Sequence, residues 1–221
     1  MQTITLLERQ KNNPERVNVY LDGEFAFGLN EMDAVTLRKG QQLTESEIDE
    51  LRQKDAVVKA VDYAANLLSY RPRSTKEIRE RLLKHSFNDV VADAAIEKLL
   101  RLGYLDDRAF ARFWIEDRNR FKPLGRRALS FELRNKGIEQ AIIQELLEEI
   151  VDEGGGAYEA ALKRVRQMRG TTKREFKQKI GAFLQRRGFG YEAVNGALTQ
   201  LIQELADDDP EFFTEGEDSR Y

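Results

Sequence analysis

The sequence predicts a mainly α protein, three tandem three-helix repeats in an elongated array behind a small β-rich N-terminal domain. Three observations predict it. Apolar residues recur at a fixed long period, as Ile78, Leu82 and Phe87, then Leu129, Leu133 and Ile138, then Ile180, Leu184 and Phe189, each set 51 residues after the last. Helix-start and helix-stop residues bracket these sets. The first 30 residues instead carry short apolar runs separated by turn residues.

The N-terminal runs are Ile4–Leu7, Val17–Leu21 and Phe25–Leu29, with Asn12-Asn13-Pro14 and Asp22-Gly23 between them. Asp-Gly between such runs is a strong hairpin signal. A short helix is expected from Glu31 to Arg38, stopped by Gly40, and Thr44 with Glu47 form a capping box that starts the helical remainder.

Within each repeat the first two apolar residues sit four apart and share a helix face. The third follows Ser86, Gly137 or Gly188, and glycine there favours a helix stop. The same offset aligns Ile96, Leu147 and Leu198 on the next helix, and Tyr63, Trp114 and Val165 on the previous one. Expected helices are 56–69, 74–85 and 89–102; 108–119, 125–136 and 139–152; and 157–169, 172–187 and 191–206. Ser74 with Glu77, and Thr172 with Glu175, read as capping boxes, whereas Pro123-Leu124-Gly125 is a weaker start. The domains expected are 1–55, 56–107, 108–153 and 154–206, with an acidic disordered tail at 207–221. Gly154-Gly155-Gly156 reads as a flexible joint. Three helices of this size have little core of their own, so burial shared between stacked neighbours is expected.

Composition narrows function. There is no Cys, so no disulfide framework or thiol nucleophile is available, and no apolar run is long enough to span a membrane. Glu8 and Arg9 close behind the first apolar stretch argue against a secretory leader, so a cytoplasmic location is expected. His85 is the single histidine and reads as a surface or capping group. Asp106-Asp107 read as helix caps rather than a metal pair, and no Gly-x4-Gly-Lys-Ser/Thr stretch exists for nucleotide phosphates. Neither a catalytic constellation nor a cofactor or metal site is expected.

Binding has better support. The net charge is −3, yet residues 154–190 hold ten Lys/Arg against two Asp/Glu, and residues 191–221 hold one against nine. A basic segment followed by an acidic one suggests an anionic partner. Candidate contact residues are Arg71, Arg73, Arg126, Arg127, Lys163, Arg164, Arg166, Lys173, Arg174, Lys177, Arg186 and Arg187, in or beside the middle helix of each repeat or on the helix before the last one. Their stems could equally cover apolar surface. The acidic tail reads as a solubilising end or as a cover over the basic third repeat. Trp114 and Phe110 read as core, Phe113 and Phe121 as possible interface anchors.

The stretches Leu67-Leu68-Ser69-Tyr70-Arg71-Pro72-Arg73-Ser74 and Gly103-Tyr104-Leu105-Asp106-Asp107-Arg108-Ala109-Phe110-Ala111 closely resemble the RecX family, regulators of the bacterial RecA recombinase. Gly125, Glu132–Ile138 and Arg187-Gly188-Phe189 extend the resemblance over about 56–206, and Asp22–Gly28 resembles the N-terminal domain of longer members. His85-Ser86-Phe87 departs from the family by lacking its glycine. The resemblance implies helix-turn-helix-like repeats and no enzymatic activity, and a monomer is expected. It also implies binding to the RecA–DNA filament groove, most often inhibiting ATP hydrolysis and strand exchange in recombinational DNA repair and the SOS response. A direct DNA-binding protein built from helix-turn-helix units is the alternative, against which stands a pI near 5.5. A helical-repeat scaffold for RNA or protein is a third class.

Overall fold

In a computed structural model that describes residues 1–11 and 13–214, the chain divides into two compact units, Met1–Asp106 and a second beginning at Asp107. The first unit opens with strands β1 (Gln2–Gln10), β2 (Asn13–Leu21), β3 (Glu24–Asn30) and β4 (Gln42–Leu43), in sheet order β3-β2-β1-β4 with antiparallel neighbours. Asp22 and Gly23 both take positive φ, 50° and 93°, as a two-residue hairpin turn demands. In the expected first turn, Asn12 lies outside the described residues, and Asn13 and Pro14 already belong to β2. Helix α1 covers only Glu31–Ala34, shorter than expected. β-branched Val35 and Thr36 follow it, the Thr36 hydroxyl donates to the Asp33 carbonyl, and Gly40 turns the chain at φ 88°.

The capping box at Thr44 and Glu47 starts α2 (Glu45–Tyr70), which runs 26 residues unbroken. The boundary expected at 55/56 therefore falls inside one helix. No Gly or Pro interrupts it, and its two halves serve different cores: Ile48 packs with the sheet, Ala60 and Ala64 with the first repeat. Helices α3 (Thr75–Lys84) and α4 (Asp89–Arg101) complete repeat 1. Repeat 2 comprises α5 (Asp107–Phe121), α6 (Arg126–Asn135) and α7 (Gln140–Ile150). Repeat 3 comprises α8 (Glu153–Val165) with a 3-10 turn (Arg166–Met168), then α9 (Lys173–Arg186) and α10 (Tyr191–Asp208).

Among the described residues, the buried apolar side chains form four separate clusters, one for the sheet and one for each repeat. Within the second unit, burial is thus not pooled between repeats 2 and 3 as expected. Repeat 1 alone closes Ala60, Ala64, Ile78, Leu82, Leu99 and Leu105 around one centre, using small alanines to bring its helices close.

The 51-residue register has a physical cause. At the end of each middle helix the residue after the stop donates its amide back five positions: Phe87 to the Leu82 carbonyl, Ile138 to Leu133 and Phe189 to Leu184, at 3.1–3.2 Å. The stop residue itself donates to Leu83, Arg134 and Gln185 respectively. These are Schellman caps, in which Leu82, Leu133 and Leu184 pack beneath the apolar residue that ends the motif. The stop must be left-handed: φ is 69° at Ser86, 82° at Gly137 and 83° at Gly188. Ser86 therefore makes the same turn as its glycine counterparts, but with a Cβ penalty. Ser86→Gly is expected to stabilise repeat 1 by about 1 kcal/mol in urea denaturation.

Two other expectations change. Gly154-Gly155-Gly156 is the first turn of α8, not a joint; Asp152 caps it by accepting from the Gly155 amide at 3.1 Å. A Cβ on Gly155 would sit 2.4 Å from the Asp152 carboxylate, so the glycine makes room for the cap. Nor does a disordered tail begin at 207. α10 runs to Asp208, and Phe212 is buried in the core of repeat 3, its carbonyl accepting from the Gly170 amide. Two adjacent phenylalanines give this stretch apolar surface that its acidic composition hides. Residues 215–221 of that tail lie outside the described residues.

Candidate nucleic-acid and protein interface

The twelve candidate cations divide by what they already hold. Arg71 forms a two-pronged ion pair with Glu77 at 3.1 and 3.3 Å. Arg73 is half-buried and donates to the Leu67 carbonyl, and burial, aided by neighbouring Arg71, pulls its pKa below the usual guanidinium value while leaving it cationic. Both brace the Tyr70–Ser74 turn that joins α2 to α3. Ser74 is fully buried and accepts from the Glu77 amide at 3.2 Å.

Arg126 and Arg187 belong to the joint between repeats 2 and 3. The Gly125 amide donates to the Arg187 carbonyl at 3.0 Å and the Arg127 amide to the Gly188 carbonyl at 3.3 Å. Glu153 accepts from the Arg126 amide at 3.0 Å and the Gly190 amide at 3.4 Å, linking two helix starts through one carboxylate. Arg187 donates to the Pro123 carbonyl and Arg126 to the Val151 carbonyl, each at 3.2 Å. Burial lowers the Arg187 pKa, with Arg164 adding repulsion. Arg164 and Arg187 lie over the Phe183 ring at 4.4 and 4.8 Å. Lys163 reaches the Phe121 carbonyl, and Lys173 sits 6.0 Å from the Phe213 ring. Seven of the twelve thus do structural work, as guanidinium and ammonium stems near apolar surface often do.

Arg127, Arg166, Arg174, Lys177 and Arg186 differ: their exposed side chains have no ion pair, hydrogen bond or ring contact among the described residues. They lie on α6, the 3-10 turn and α9, all in the second unit. A cleft of about 490 Å³ between α8 and α9 is lined by Arg164, Lys179 and Arg186, and is floored by Met168 and Ile180. A second, of about 460 Å³, is lined by Arg126, Arg127, Ser130, Phe131, Arg134 and Leu147. Lys179, Phe131 and Arg134 were not among the sequence candidates. Repeat alignment could have found Phe131, because Glu80 and Ala182 occupy its position in the other copies.

The aromatic expectations resolve individually. Phe110 is buried. Trp114 is half-buried, donates its indole N–H to Glu132 at 2.7 Å and carries Arg118 over its face at 4.3 Å. Phe113 and Phe121 are exposed. Among the described residues no group of three or more His, Asp or Glu could hold a metal ion, and no helix is long and apolar enough to cross a membrane.

Three tandem three-helix domains with separate cores behind a small antiparallel sheet define a helical-repeat protein. Comparison with known proteins sharpens this. Residues 2–44 match the regulatory protein RecX N-terminal domain, and residues 60–99, 106–147 and 156–198 match the first, second and third three-helix domains of RecX. Curated relatives include "Regulatory protein RecX" of Bacillus licheniformis, 36% identical over 94% of this chain and 80% of that protein. Another, from Listeria monocytogenes, is 34% identical over 91% of this chain and 77% of that protein. A crystal structure of regulatory protein RecX superposes with a TM-score of 0.75 at 27% identity, covering 92% of this chain and all of that one. RecX from Lactobacillus salivarius shares the fold, with a TM-score of 0.62 at 23% identity over 67% of this chain and 98% of that one. The chain belongs to the RecX family.

Proposed function

We propose that this protein is a non-enzymatic, cytoplasmic and monomeric modulator of RecA recombinase. It binds the RecA–DNA filament in its helical groove and inhibits ATP hydrolysis and strand exchange, within recombinational DNA repair and the SOS response. The relatives' designation as regulatory proteins supports the class of role. The observation that carries the contact is the run of uncompensated cations on repeat 3, above all Arg174 and Lys177 on α9. An exposed cation without an internal partner costs little to bring to a phosphate or carboxylate, whereas Arg71 must first release Glu77. Repeats act together because each engaged copy raises the effective concentration of the next.

The test is a titration of RecA ATPase on single-stranded DNA. Intact protein is expected to inhibit at substoichiometric amounts, and Arg174→Glu with Lys177→Glu to need about ten-fold more protein or worse. Arg71→Ala serves as the paired-cation comparison and is expected to shift the curve little. An ATPase unaffected by intact protein would overturn the reading. Deleting residues 154–221 is a poor substitute, since it also strips Arg187 and Gly188 from the start of α6.

A further inference from the structure

We propose that the exposed face of α6 is a stacking site for single-stranded nucleic acid, with Phe131 as the base platform and Arg127 and Arg134 as the phosphate clamps. Phe131 is 60% exposed. Arg127 lies four residues before it and Arg134 three after it, so all three share a helix face one turn apart on either side. They line the same open cleft of about 460 Å³, together with Arg126 and Ser130, and buried Leu147 lies at its floor.

Three points separate this cleft from an incidental surface phenylalanine. First, the fold does not require the ring. Leu129 and Leu133 supply the core face of α6, and the equivalent outward position holds Glu80 in repeat 1 and Ala182 in repeat 3. Second, the charge is all of one sign. Among the described residues no acidic side chain lines the cleft, Arg127 has no side-chain partner, and Arg134 makes only a long contact, 3.4 Å, to the Ser130 carbonyl one turn back. In repeat 1, by contrast, Arg79 on the middle helix is neutralised by Asp89 and Asp93. Third, the frame is rigid. The start of α6 is bonded to Arg187, Gly188 and Glu153, so its amides are already used and the side chains above them are held.

An open aromatic face between guanidinium groups matches a base between two phosphates. Stacking accepts any base, while the arginines follow the backbone. A duplex keeps its bases stacked on one another and offers the ring nothing, so a single strand is the ligand that uses both features. An acidic peptide would use the arginines and leave Phe131 indifferent to ring size. The site does not depend on the recombinase reading, and its test contains no recombinase.

The experiment is fluorescence anisotropy of full-length protein with a labelled thymidine oligonucleotide of about 20 nucleotides, a uridine counterpart, a duplex and an oligoglutamate peptide, across a salt series. Intact protein is expected to bind both single strands more tightly than duplex or peptide. Phe131→Ala should weaken single-strand binding about ten-fold or more with an unchanged salt slope, and Phe131→Tyr should retain it. Arg127→Gln should flatten the slope by about 0.7. Phe131 is exposed, so circular dichroism of the variants should match that of intact protein. Equal loss on duplex, no loss with Phe131→Ala, tighter binding of the peptide, or no single-strand binding at all would each overturn the proposal.

Discussion

Gly188→Ala is expected to loosen the joint between repeats 2 and 3 by about 2–5 kcal/mol. Two penalties act at once. The residue sits at φ 83°, where an L side chain costs about 1–2 kcal/mol. A Cβ there would also lie 2.5 Å from the Ala128 amide nitrogen and 2.6 Å from its Cβ. Backbone cannot step aside as a flexible side chain would, so relief means moving α6 away and losing the Gly125 and Arg127 amide bonds. Gly125 is the other half of the contact: its own Cβ would fall 2.2 Å from the Gly188 carbonyl oxygen. Gly103→Ala isolates the first penalty, because φ there is 74° with nothing within 4 Å, and should cost only about 1–2 kcal/mol. Amide exchange at Gly125 and Arg127, read beside urea denaturation, separates the cases. If Gly188→Ala costs no more than Gly103→Ala and both amides stay protected, the close backbone approach is wrong.

That joint also shows how far the sequence could be read. The 51-residue register was legible because its signals are local: a capping hydroxyl acts within the first turn of a helix, and a left-handed stop with the apolar residue after it acts within the last. Even Ser86, which departs from the glycine pattern, keeps the turn, since the Leu82–Phe87 bond and the buried core fix it. What lay hidden depended on residues far apart. Gly125 looked like a weak helix start; its role comes from Gly188, 63 residues later. Gly154-Gly155-Gly156 looked flexible because composition does not show that Asp152 caps it. The site was legible only in part for a similar reason. Clustered arginines are visible in the sequence, but whether a given one is engaged, as Arg187 is with Pro123, or uncompensated, as Arg174 is, depends on partners that no local pattern reveals.

Asp55→Ala is expected to destabilise the first unit by about 3–5 kcal/mol, through the charge it leaves behind. Asp55 is 4% exposed, ion-paired to Arg16 of β2 and bonded to Lys59 of α2 at 2.7 Å. Lys59 is half exposed and can turn to water, but the Arg16 side chain is only 14% exposed and reaches Asp55 over Gly28, whose absent Cβ would lie 3.2 Å from the guanidinium. Removing the carboxylate strands that guanidinium in a low-dielectric setting, which is why breaking one side of a buried pair costs far more than the pair contributes. The pair lies where α2 changes from serving the sheet to serving repeat 1, so the loss should appear as faster amide exchange in β2 and the first half of α2. The double variant Arg16→Met with Asp55→Leu distinguishes charge from packing. It should recover most of the lost stability in urea denaturation, because neither partner is then left unpaired. If the double variant is as unstable as Asp55→Ala, the contact is held by shape and hydrogen bonding rather than by charge neutralisation.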